Sequence, residues 1–146
     1  TVREGETFIG PNATQAVYET GINVANRVPK FTTFKLLTKP DWIVTDQRLN
    51  DIALVSTDQI LTGVSTLPRF RATVKNTSEL YTVDAVDVIA ILYDIDDNAV
   101  AIGKTFVETL PPGSQEEVFF TWPGPFPREV IRTEIVIRYN PFTVTF

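Results

Sequence analysis

The chain has 146 residues, enough for one domain or for one domain with part of another, and a formal net charge of −5. It holds no cysteine and no histidine, which removes disulfides, thiolate metal sites, a cysteine nucleophile, the usual general base and the commonest metal ligand. The acidic balance, with no basic stripe, argues against nucleic acid as a partner, because such a surface repels phosphates.

Taken from the N-terminus, residues 1–44 carry five Lys/Arg against four Asp/Glu, and residues 45–146 carry eight against fourteen. Methionine is absent, even at position 1, so the expectation is a processed chain or a piece of a longer one. Helix signals are nearly absent throughout: no long window repeats apolar residues at i, i+3, i+4 and i+7 behind a cap. Strand-favouring Val, Ile, Thr, Phe and Tyr abound instead, punctuated by ten prolines and seven glycines.

The expected strands run in order from Ile52 to Leu61, Leu67 to Asn76, Val83 to Asp94, Ala99 to Val107, Ser114 to Trp122 and Ile131 to Tyr139. In Pro68–Asn76, Phe70, Ala72 and Val74 alternate with Arg69, Arg71, Thr73 and Lys75, the pattern of a strand with one buried face. Ile131, Thr133, Ile135, Ile137 and Tyr139 form a similar inward set. The stretch after Asp87 is apolar on both faces and reads as a central strand. Asp94-Ile-Asp-Asp-Asn98 then reads as a hairpin turn, since Asp and Asn tolerate left-handed backbone and close Asx-turns. About seven strands in roughly 100 residues predict an all-β fold, an immunoglobulin-like antiparallel β-sandwich over residues 45–146. An antiparallel barrel is the structural alternative.

An internal repeat organises the whole chain. Gly5-Glu-Thr-Phe-Ile9 matches Gly103-Lys-Thr-Phe-Val107, and Pro11 to Tyr18 matches Pro112 to Phe119. Residues 29–42 resemble 127–142, with Lys39-Pro-Asp-Trp42 against Tyr139-Asn-Pro-Phe142. Residues 1–44 are therefore read as a partial repeat, the last strands of a second copy. Three strands without an opposing sheet leave apolar surface and edges to cover. The missing strands come from a longer parent chain, from a neighbouring copy by strand complementation, or from the fragment packing on the full domain. Head-to-tail complementation builds a filament. Candidate interface residues are Phe8, Val17, Tyr18, Phe31, Phe34, Trp42, Phe142, Val144 and Phe146. The tail Pro141–Phe146 is read first as the start of a linker and second as a strand that docks on a neighbour.

Phe70 to Ser78, Val88-Ile-Ala-Ile-Leu-Tyr-Asp94, Ala101-Ile-Gly103, Leu110-Pro-Pro-Gly113 and Val118-Phe-Phe-Thr-Trp122 together resemble bacterial and archaeal Ig-like surface modules of the CARDB and FxLYD groups. The resemblance covers about residues 65–122. It implies an exported sandwich used in tandem at the cell surface as a spacer, adhesin stalk or assembly module, with no shared catalytic residue and no cofactor.

Other candidate sites compete with structural roles. Asp94, Asp96 and Asp97 gather oxygen ligands in one turn but lack EF-hand spacing, so a solvated turn is favoured over a metal site. Asn12 and Asn76 head N-glycosylation sequons at turn-like positions. Trp42, Trp122, Phe126, Tyr139 and Phe142 could present a platform to surface glycans, which makes a carbohydrate-binding accessory domain the alternative function; core packing is the competing reading. Glu116 and Glu117 adjoin on opposite faces of a strand and suit no acid–base pair. The reading is a non-enzymatic, extracellular structural or adhesive module, with no membrane span in this segment.

Overall fold

The computed structural model describes residues 53–141, together with Thr14, Ala16, Ala25, Val144 and Thr145. The partial repeat over residues 1–44 lies outside the described residues apart from the three named. Six strands are described: β1 (Leu54–Thr62), β2 (Arg69–Asn76), β3 (Val83–Tyr93), β4 (Ala99–Leu110), β5 (Gln115–Thr121) and β6 (Arg132–Arg138). They form two three-stranded antiparallel sheets, ordered β1-β2-β5 and β4-β3-β6. The all-β expectation and the sandwich character both stand. Of the seven or so strands expected over residues 45–146, six appear among the described residues, and the tail contributes an isolated bridge between Thr82 and Thr145.

Alternation decides which side chains enter the core. Phe70, Ala72 and Val74 of β2 are buried while Arg69, Arg71 and Lys75 are exposed, as their spacing requires. Beside them in the same sheet are Val118 and Phe120 of β5, and facing them across the sandwich are Val83, Val86, Val88, Ala90 and Leu92 of β3 with Val107 and Leu110 of β4. Fully burying one such Val, Leu or Phe stabilises by roughly 1.5–3 kcal/mol. β3 sits between β4 and β6, the central place its unbroken apolar run predicts.

The inward set of β3 breaks step once. Val83 and Val86 are both buried although three residues apart, and Ala85 between them holds a left-handed φ of 55°. That single residue shifts the phase, and Val107 and Leu110 on the paired strand step by three as well. Ile135 and Ile137 of β6, and Tyr139 just beyond its end, pack against the core as expected. Ile131 does not. It lies before the strand, 54% exposed, because the strand begins one residue later.

The two outer faces of the sandwich differ. On the β1-β2-β5 side they carry Arg69, Arg71, Lys75, Gln115, Glu117 and Thr121 in solvent. On the β4-β3-β6 side the central outward residues are Ile89 and Ile91, flanked by Ile102 and Val136.

Candidate functional site

The hairpin between β3 and β4 gathers most of the ionisable side chains that sequence singles out. Asp94 N donates to Asn98 O at 3.0 Å, and Asp97 N donates to Asp94 O at 3.2 Å, with Asp97 at φ 59°. Asp94 Oδ1 accepts from the backbone amides of Asp96 (3.0 Å) and Asn98 (2.9 Å), the Asx-turn geometry expected here. Arg128 Nη1 donates to Asp94 Oδ2 at 2.6 Å. The Asn98 backbone amide, first among the causes, with Arg128 and the Asp96 amide behind it, holds the Asp94 carboxyl below its ordinary range; burial pulls the other way.

Asp97 faces a second guanidinium. Arg132 reaches Asp97 Oδ1 at 3.0 Å and Glu134 Oε2 at 3.2 Å, and its Cζ lies 3.8 Å above the Tyr93 ring. Tyr93 donates its hydroxyl to Glu134 at 3.0 Å. Burial, and then the Glu134 hydrogen bond and charge, push the Tyr93 hydroxyl above its ordinary value. An open cleft of about 330 Å³ lies beside this turn, lined by Asp94, Asn98, Ala99, Val100, Pro127 and Arg128. Asp94 and Asp97 of the turn are thus each paired with a guanidinium. Among the described residues no group of three acidic side chains converges in a way that could hold a metal.

Asn76 has a task that its sequon does not announce. The residue is fully buried, and its Nδ2 donates to the carbonyls of Tyr81 (2.7 Å), Leu110 (2.9 Å) and Pro111 (3.2 Å). Its Oδ1 accepts from Ser78 N at 3.0 Å, and Ser78 Oγ accepts in turn from Tyr81 N at 3.1 Å. This network ties the end of β2 to the end of β4 in the opposite sheet. A glycan on Nδ2 would displace these bonds, so the sequon reading does not carry over to position 76. Asn12 lies outside the described residues.

The three aromatic candidates among the described residues, Trp122, Phe126 and Tyr139, pack inward. Phe120 stands 5.9 Å from Phe70 and 6.5 Å from Trp122, ring centroid to centroid, and Trp122 meets Phe126 edge-on at 5.2 Å. The Trp122 indole donates to Ile102 O at 3.2 Å. Trp122, Phe126 and Tyr139 all pack against the core, and burial raises the Tyr139 hydroxyl pKa. Gly103 makes this stack fit: a Cβ there would lie 2.9 Å from Phe120 Cδ1 and 3.3 Å from Trp122 Cζ2.

Of the nine candidate interface residues, Val144 alone is described. It packs against the core of its own sandwich, beside the Thr82–Thr145 bridge closed at 2.8 and 3.1 Å. At these two positions the tail pairs with its own sandwich. Phe8, Val17, Tyr18, Phe31, Phe34, Trp42, Phe142 and Phe146 lie outside the described residues.

What sequence reasoning missed is the outer face of β3. Ile89, Ile91 and Val136 are buried at 1%, 5% and 9% exposure, outside the sandwich interior. The signal was present in the two-sided apolar run of β3, which calls for cover on both faces. Comparison of the chain with protein-family models finds no match, and comparison with curated proteins finds none. Among the described residues no helix is long and apolar enough to cross a membrane.

Proposed function

We propose that the protein is a non-enzymatic, extracellular structural or adhesive module of a cell-surface protein or filament, built as an immunoglobulin-like sandwich. The observation that supports this most is the strand order. Lettered A, B, C, C′, E and F in chain order, the six strands have the neighbours A-B-E and C′-C-F that such sandwiches use. The residues behind the resemblance to CARDB and FxLYD modules have structural tasks in keeping with it: Asn76 stitches the sheets, Ser78 accepts from the Tyr81 amide in the connection between β2 and β3, Gly103 admits the aromatic stack, and Gly113 takes φ 68° in the Pro111–Ser114 turn.

The repeat of residues 103–142 in residues 5–42 adds the second element. A half-repeat needs strands from elsewhere, and a neighbouring copy that supplies them generates a head-to-tail chain of subunits. Light scattering on the full chain over a dilution series tests the reading. Mass that grows with concentration is expected; the mass of one chain at every concentration overturns assembly.

A further inference from the structure

We infer that the outer face of the β4-β3-β6 sheet is a docking surface for the N-terminal segment of the same chain, residues 13–18, seated on Ile89, Ile91 and Val136 with Ala16 at the contact. In a two-layer sandwich the outward residues of a sheet face water. The opposite sheet obeys this: Phe119 is 60% and Val55 38% exposed. Ile89 and Ile91 occupy the equivalent outward side of β3 and are 1% and 5% exposed. Their strand neighbours cannot close them off alone. Ile89 lies opposite Lys104 and Val136, and Ile91 lies opposite Ile102 and Glu134, all in the plane of one sheet. Cover of that completeness takes a third layer above the sheet.

One described residue from outside the sheet packs on this cluster, and it is Ala16. Its small side chain lets a backbone approach the sheet closely. The chemistry of the face suits a peptide segment: a centre of Ile89, Ile91, Ile102 and Val136, bordered by the Lys104–Asp87 ion pair at 2.6 Å and the Arg132–Glu134 pair at 3.2 Å. An apolar centre with a charged rim is how protein contact surfaces are built. The segment Ala13-Thr-Gln-Ala-Val-Tyr18 corresponds in the repeat to Ser114–Phe119, most of which forms β5, so it carries the composition of an extended strand. The docking holds whether or not copies go on to assemble, because it uses the chain's own N-terminal segment.

Hydrogen exchange on the full chain, read by mass spectrometry at a high and a low protein concentration, decides the matter. Amides of residues 13–18 are expected to exchange at least about tenfold more slowly than an unfolded chain at both concentrations. Ile91→Asp, which puts a carboxylate on the outer face, should abolish that protection while β2 and β5 stay protected. Ala16→Asp makes the same change from the segment's side and cannot disturb the sandwich interior, so it decides the outcome should Ile91→Asp unfold the protein. Unprotected residues 13–18 in the unmodified chain overturn the inference. So does protection that survives Ala16→Asp, and so does protection seen only at high concentration, which assigns the face to a second copy.

Discussion

Asn76 shows how a single side chain can be read two ways from sequence and one way from structure. As Asn-Thr-Ser it is a sequon; as the last residue of β2 it is a buried amide that satisfies three carbonyls of loops and strand ends around it. Buried polar groups left without partners each cost about 1–3 kcal/mol, so Asn76→Ala is expected to lower stability by roughly 3 kcal/mol, read as a reduced urea midpoint with an unchanged slope. Asp94 supplies a pH test. Its folded-state pKa lies below its unfolded value, so its contribution is present above the unfolded value near 3.8 and is lost as pH falls through the folded one. Asp94→Asn removes that dependence. Thermal melts from pH 5 to about pH 2 should fall less steeply for the variant than for the unmodified chain, and parallel curves would show that the turn is not linked to folding.

The strands were legible at the level of elements because alternation in β2 and the apolar run in β3 follow directly from which faces are buried. The strand boundaries lie within a few residues of those expected. Two features were not legible. The phase shift at Ala85 depends on one left-handed residue that no local pattern marks. The exposure of Ile131 follows from where β6 begins, which is set by pairing with β3 and not by the composition of β6. Gly103 belongs to this scale as well, since its role comes from an element across the sandwich. A methyl group there would press on Phe120, which is held between Phe70 and Trp122 and has nowhere to move. Gly103→Ala is expected to destabilise by about 1–3 kcal/mol, the usual cost of overpacking. Equal or higher stability would show that the aromatic stack yields. The glycine was visible as the first residue of the repeated GxTF phrase, but the reason for it was not.

For the molecule as a whole, the sandwich was readable and the candidate sites were only partly so. The aromatic residues and the acidic turn turned out to be held by neighbours that lie far away in sequence: Trp122 by the Ile102 carbonyl, Asp94 by Arg128, Asp97 by Arg132. Sequence shows which groups could bind a ligand; only the fold shows that these ones are already bound to each other. What these pairings do not account for is the apolar outer face bearing Ile89, Ile91 and Val136, buried although it lies outside the sandwich interior.

The central claim, a structural module that joins copies of itself head to tail, meets its most direct test in the dilution series by light scattering. A heterologous contact between the half-repeat of one chain and the sandwich of the next leaves an open end on every oligomer. The average mass should therefore climb with concentration through successive multiples of one chain and reach no plateau. A plateau at two chains would mean a closed, symmetric contact, and a constant mass of one chain would mean no contact at all; either result contradicts the account.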